Sequence, residues 1–174
     1  MQTRSYILFR TLQHPPEGIE YPLMRYTLFT IGDESFGVEI QRVVEILNPL
    51  RLHKIPELPS FISGVINVRG DIIPVIDLRV RFGIEYPSGK YRVLIVRLEN
   101  YKIGMHVDKV TEIMDIPDER ISRPPKFFKG FREEFMKGIG HVRGERIIII
   151  LDVEKVLTTE EKIELNSSRK NLSP

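Results

Sequence analysis

The sequence predicts a mainly β protein: two pseudo-repeated five-stranded β-barrels that share an apolar interface, with few and short helices. Short apolar runs separated by Gly, Pro, Asp and Asn recur along the chain, which is the pattern of barrels and sandwiches. Two blocks of the first half recur in the same order in the second. The 174 residues suffice for a sizeable core, but each half alone lies near the lower limit for independent folding, so the halves are expected to share contacts.

Residues 1–22 carry His14-Pro15-Pro16-Glu17-Gly18 and Tyr21-Pro22 and read as an N-terminal extension. The body is expected at 23–165. Its opening, Tyr26 to Ile31, a Gly32-Asp33 turn, then Phe36, Val38 and Ile40 alternating with polar or small residues, is a hairpin pattern. Strand-like runs follow at Gly64–Val68, Ile72–Ile76, Tyr91–Leu98, Lys102–Val107 and Ile147–Leu151. Asp77 and Asp152 each follow an apolar strand and precede a short helical pattern, where an aspartate caps the first turn. Thr158 with Glu161 has the capping-box spacing and places a C-terminal helix at about 159–165. Residues 166–174 are polar, lack periodicity and read as a tail.

The repeat fixes the expected architecture. Phe36-Gly-Val-Glu-Ile-Gln-Arg-Val-Val-Glu-Ile-Leu47 matches Ile103-Gly-Met-His-Val-Asp-Lys-Val-Thr-Glu-Ile-Met114 at an offset of 67 residues (37 to 104). Ser63-Gly-Val-Ile-Asn-Val-Arg-Gly-Asp71 matches Lys137-Gly-Ile-Gly-His-Val-Arg-Gly-Glu145 at an offset of 74 (69 to 143). Two barrel halves are therefore expected at about 23–83 and 91–157, joined through Tyr86-Pro87-Ser88-Gly89.

Composition and motifs exclude most chemistry. With no cysteine, there is no thiol nucleophile, disulfide or cysteine metal site. His14, His53, His106 and His141 stand far apart, without zinc-like spacing. No nucleophile elbow, phosphate loop or dinucleotide fingerprint is present. Helix capping accounts for Asp77 and Asp152 better than acid–base catalysis does. No catalytic, cofactor or metal residue is expected. Twenty-six basic residues against 24 acidic ones leave a net charge of +2, which argues against bulk capture of nucleic acid. The basic, aromatic segment Arg123–Arg132 supplies the alternative reading, a double barrel that binds single-stranded nucleic acid; packing of its phenylalanines on their own barrel is the plainer one. The longest apolar run, Ile147–Leu151, is too short to span a bilayer, and a cytoplasmic location without membrane insertion is expected.

The segment Gly64-Val-Ile-Asn-Val-Arg-Gly-Asp-Ile-Ile-Pro-Val-Ile-Asp-Leu-Arg-Val-Arg-Phe-Gly83, preceded by Phe36-Gly-Val-Glu-Ile and Val43-Val-Glu-Ile46 and followed by Ile139-Gly-His-Val-Arg-Gly and Leu151-Asp-Val-Glu-Lys-Val, resembles the CheW family, the coupling proteins of bacterial chemotaxis arrays. The resemblance covers about residues 24 to 160. It implies two SH3-like barrels and a non-enzymatic adaptor. The partners it implies are the cytoplasmic tip of methyl-accepting receptors and the regulatory domain of a CheA-type histidine kinase. Val43, Glu45, Ile46, Arg69 and Gly70 match positions the family uses around those contacts. Arg69 has a second reading, as a brace for its own barrel through Glu45 or another carboxylate, and the two readings are compatible.

Overall fold

The structure is a computed structural model that describes residues 24–85, 89–124 and 133–172. The expected extension at 1–22, the connection at 86–88 and residues 125–132 of the basic segment lie outside the described residues. In chain order the strands are β1 (Met24–Ile31), β2 (Glu34–Glu39), β3 (Val43–Leu47), β4 (Ile62–Val68) and β5 (Asp71–Asp77), then the short helix α1 (Leu78–Phe82). The second copy follows as β6 (Arg92–Arg97), β7 (Lys102–Val107), β8 (Lys109–Ile116), β9 (Ile121–Ser122), β10 (Met136–Val142) and β11 (Arg146–Leu151), and the chain closes on helix α2 (Thr159–Leu172).

The strands form a six-stranded sheet, β8-β1-β2-β11-β10-β9, and a five-stranded sheet, β3-β6-β7-β5-β4. Among the described residues, only β2 with β11 and β5 with β7 run parallel. The orders correspond strand for strand: β3, β6, β7, β5 and β4 of one sheet stand where β8, β1, β2, β11 and β10 stand in the other. The repeat read from sequence is thus a structural repeat. Its division differs from the expected halves 23–83 and 91–157, because the copies are interleaved. One sheet takes β1 and β2 from the first copy and β8–β11 from the second; the other takes β3–β5 and β6–β7. A 3-10 turn, Ile40–Arg42, carries the chain from β2 into the other sheet, and it returns between β7 and β8 at Asp108.

Each sheet curls around its own core. Tyr26, Leu28, Ile116, Ile148 and Ile150 form one cluster with Met114 and Ile121 from the edge strands β8 and β9. Ile66, Ile73, Val75, Val93 and Ile95 form the other with Val44 and Leu47 from edge strand β3. Strands from both edges meet in one cluster only when a sheet is rolled toward closure. A larger third cluster joins the barrels. Alternation explains the division: on β6, Val93 and Ile95 face the barrel interior while Leu94 and Val96 face the other barrel. A strand buried on both faces reads as a continuous apolar run, as residues 93–96 of β6 do.

The drift in offset from 67 to 74 falls between the two blocks, where 14 residues (48–61) in the first copy face 21 (115–135) in the second, and the last hairpin turn adds one more. The loop between Val68 and Asp71 has two residues, Arg69 and Gly70, with φ of 52° and 91°, the left-handed pair that matches strand twist. Its counterpart between Val142 and Arg146 is one residue longer, and there Gly144 and Glu145 hold positive φ.

The expected caps are present. Asp77 accepts from the Arg79 and Val80 amides, and Asp152 accepts from Glu154 N. Thr158 and Glu161 exchange both capping-box bonds, at 2.7 and 3.2 Å. The helix they start continues past the expected limit of 165 to Leu172, so most of the expected polar tail is helical. No Gly or Pro interrupts 159–172, and adding residues to a nucleated helix is far easier than starting one.

Candidate partner-binding site

The five-stranded barrel has two edges, β3 and β4. Glu45 sits on β3 opposite Ile95 of β6, just after a bulge that follows Val43, and is 6% exposed. Arg69 sits in the turn that leaves β4. Its guanidinium donates from Nη1 to Glu45 Oε1 at 2.8 Å and from Nη2 to Oε2 at 3.2 Å. This two-pronged geometry suits a planar guanidinium and a carboxylate. The pair is asymmetric: the Glu45 side chain is 7% exposed and that of Arg69 is 71% exposed. A recessed carboxylate is thereby satisfied by a cation whose other face stays in water, and the two edges of the barrel are clasped.

The structure brings together Glu45 and Arg69 and sorts the other predicted residues. Val43 is buried in the cluster between the barrels and supports the site from beneath. Ile46 is exposed, as are Leu50 nearby in sequence and Gly70 beside Arg69. The Gly70 amide donates to Asn67 Oδ1 at 2.9 Å, which fixes the turn that aims Arg69. In the second copy the pair is rewired: Glu112, the counterpart of Glu45, accepts from Arg146 at 2.6 Å, while Arg143, the counterpart of Arg69, is exposed. The two copies therefore present different surfaces from the same scaffold.

Two polar clusters escape a reading of the sequence. At one end of the five-stranded barrel, Arg79 Nη2 lies 3.0 Å from His106 Nε2, both side chains are buried, and the Tyr91 ring packs on the imidazole at 4.0 Å. Asp77 and Asp108 flank the pair at 3.7 to 3.8 Å. Asp108 also accepts from Gly32 N at 2.7 Å, so the cluster reaches the first hairpin of the other barrel. Burial holds the His106 pKa below its usual value and Arg79 adds to this, against the pull of Asp77 and Asp108. The neutral ring accepts from Arg79 at Nε2 and carries its proton on Nδ1. In the second cluster, the buried Arg81 donates from Nε to the Val156 carbonyl and with two nitrogens to Glu161, and stacks over Phe61 and Phe135. It ties α1 to the start of α2. Among the described residues no three His, Asp or Glu side chains group as a metal ion needs, and no helix is long and apolar enough to cross a membrane.

The double barrel thus carries a recessed, clasped ion pair with the exposed aliphatic Ile46 next to Glu45 in the chain, and in general aliphatic area supplies burial at an interface while a charged pair sets register. The model of the CheW-like domain family matches residues 25–161. The chain is similar to Chemotaxis protein CheW of Klebsiella aerogenes, 36% identical over 139 residues that cover 78% of this chain and 82% of that protein. It is also similar to Chemotaxis protein CheW of Treponema pallidum, 28% identical over 162 residues, 87% and 93% of the two chains. Among solved structures, it is similar to the scaffolding protein TtCheW from Thermoanaerobacter tengcongensis, with a TM-score of 0.75 at 33% identity over 85% of this chain and 96% of that one. The chain belongs to the CheW family and has the role of a coupling adaptor in chemotaxis.

Proposed function

We propose that this chain links the cytoplasmic tip of methyl-accepting chemotaxis receptors to the regulatory domain of a CheA-type histidine kinase, acting in the cytoplasm by binding and without a reaction of its own. The observation that carries the site is the Glu45–Arg69 clasp, where a largely exposed guanidinium is held in one position by a buried carboxylate. A long cation fixed in this way meets a partner's acceptor with little further loss of side-chain freedom. Ile46 and Leu50, exposed nearby, supply apolar area, and Val43 and Gly70 set the strand and the turn. Reconstitution tests the reading. Purified kinase and receptor-containing membranes are mixed with and without this protein, and kinase autophosphorylation and co-sedimentation are followed. The expected result is that kinase is recruited and activated only when receptor and adaptor are both present. Kinase activity unchanged by the adaptor, or ATP turnover by the adaptor alone, overturns the proposal.

A further inference from the structure

We infer that residues 24–85 and 89–172 are complementary partners that hold together through strand pairing and core contact without their covalent connection, so that either half is a docking surface for the other half of a second copy of this chain. Four ladders cross from one half to the other: β1 with β8, β2 with β11, β3 with β6 and β5 with β7. In its sheet β3 pairs only with β6, and β8 only with β1. Within the first half the ladders leave two hairpins and one strand without a partner of its own. A half alone therefore exposes long rows of backbone donors and acceptors, which demand a strand on the open side.

The occupant is specified by side chains as well as backbone. Phe36 and Val43 of the first half and Leu94, Val96 and Ile103 of the second lie in one buried cluster. Ion pairs cross the same seam, Arg42 with Glu154 at 2.9 Å, Lys102 with Asp71 at 2.7 Å and Arg81 with Glu161 at 2.9 Å. In each, the acid and the base come from different halves. The connection contributes by raising the effective concentration of one half for the other. A second copy supplies the same contacts and no new ones, which is the condition for exchanging identical elements between protomers. Because exchange requires both sheets to open, it follows partial unfolding. The inference stands on topology and is independent of the adaptor role.

The test uses the full chain with a specific protease site in place of Tyr86-Pro87-Ser88, folded before it is cut. The cut protein is expected to run as one particle of unchanged size at low micromolar concentration and to keep its β-sheet circular dichroism. Its melting temperature is expected to rise with protein concentration, which that of the uncut chain does not. When cut protein tagged on the first half is mixed with cut protein carrying a different tag on the second half, taken to its denaturant midpoint and diluted back, complexes that carry both tags are expected as the hybrids. Separation of the halves on cutting, loss of the sheet signal, or refolding without hybrids overturns the inference. Should the replaced connection disturb folding before cutting, the site is moved to Gly89, where an added Cβ meets nothing within 4 Å, and the same outcomes decide.

Discussion

Gly37 and Gly104 occupy the same place in the two sheets. Gly37 stands between Leu28 in an antiparallel ladder and Ile150 in a parallel one; Gly104 stands between Ile95 and Val75 in the same arrangement. A Cβ on Gly104 would lie 2.8 Å from Val93 Cγ1 and 3.1 Å from Val75 Cγ2, whereas one on Gly37 would meet Leu28 Cδ2 at 3.0 Å. Each barrel core comes so close to its central strand that no side chain fits there.

Gly104→Ala is expected to destabilise the protein by about 1–3 kcal/mol, the usual cost of overpacking a tight core, and Gly37→Ala by less. Val93 and Val75 are stiff at χ1, while the leucine tip facing Gly37 has more freedom to move. Urea unfolding of the two variants measures the difference. A Gly37→Ala loss equal to or greater than that of Gly104→Ala contradicts it.

Arg69→Ala leaves the Glu45 carboxylate buried without its guanidinium and is expected to cost about 1–3 kcal/mol. In a Glu45→Gln background the same change is expected to cost less than about 1 kcal/mol, since no charge is then stranded; the difference is the coupling of the pair. Co-sedimentation with receptor membranes and kinase is expected to fail in both backgrounds, while Arg143→Glu assembles normally. If assembly returns once the stability cost is removed, Arg69 is a brace and not a contact.

Stability is expected to fall as the solution is acidified below about pH 6.5, the usual histidine value, because His106 is held neutral in the folded protein. Above that pH neither state binds the proton and the contribution is complete. Below it the unfolded chain takes up the proton first, and the loss continues until the lowered folded pKa is reached. His106→Gln keeps an acceptor for Arg79 and does not titrate, so the difference between its pH–stability curve and that of the parent isolates this step. Parallel curves between pH 4.5 and 7 (about two units around the ordinary histidine range) count against it.

Arg81→Ala is expected to cost about 2–4 kcal/mol, because it leaves the part-buried Glu161 with only its Thr158 amide bond and empties the space between Phe61 and Phe135. Arg81→Lys restores the charge but not the fork that reaches both Glu161 oxygens and the Val156 carbonyl, and recovers only part of the loss. Amide hydrogen exchange locates the effect: α2 is expected to lose protection first. Uniform loss across the barrels speaks against a tie specific to α2.

Hairpins, turns and caps were legible because each is decided within a few residues. The alternation of Phe36, Val38 and Ile40, the glycine turns, and the Thr158–Glu161 box all act locally, and the repeat named equivalent strands correctly. What the repeat could not say is which copy each strand pairs with, since a strand's apolar pattern is the same in either sheet. The Glu45–Arg69 pair was within reach as one of two readings, both residues lying on edges of one barrel. His106 stands where the first copy has Glu39, and the repeat carries no signal that it is buried against Arg79, which comes 27 residues earlier in the chain. The short helical pattern after Asp77 was legible, but the burial of Arg81 was not, because the helix that covers it returns 80 residues later.

The interleaving of the two copies also governs how the protein is made. As the chain leaves the ribosome, Leu28 waits for Glu112, and Gly37 waits for Ile150, before their strands have neighbours on both sides. The first hairpin is complete early but keeps an open edge at β2 until β11, the last of the described strands, has been synthesised. Pairings this distant in sequence form slowly, and nascent chains with open edges are prone to misassociate. The five-stranded barrel has all its strands, within residues 43–107, before β8 is synthesised, whereas the six-stranded barrel waits for β11. The nascent β1–β2 hairpin, whose two outer partners β8 and β11 come late in the chain, is where a chaperone that shields strand edges has most to protect.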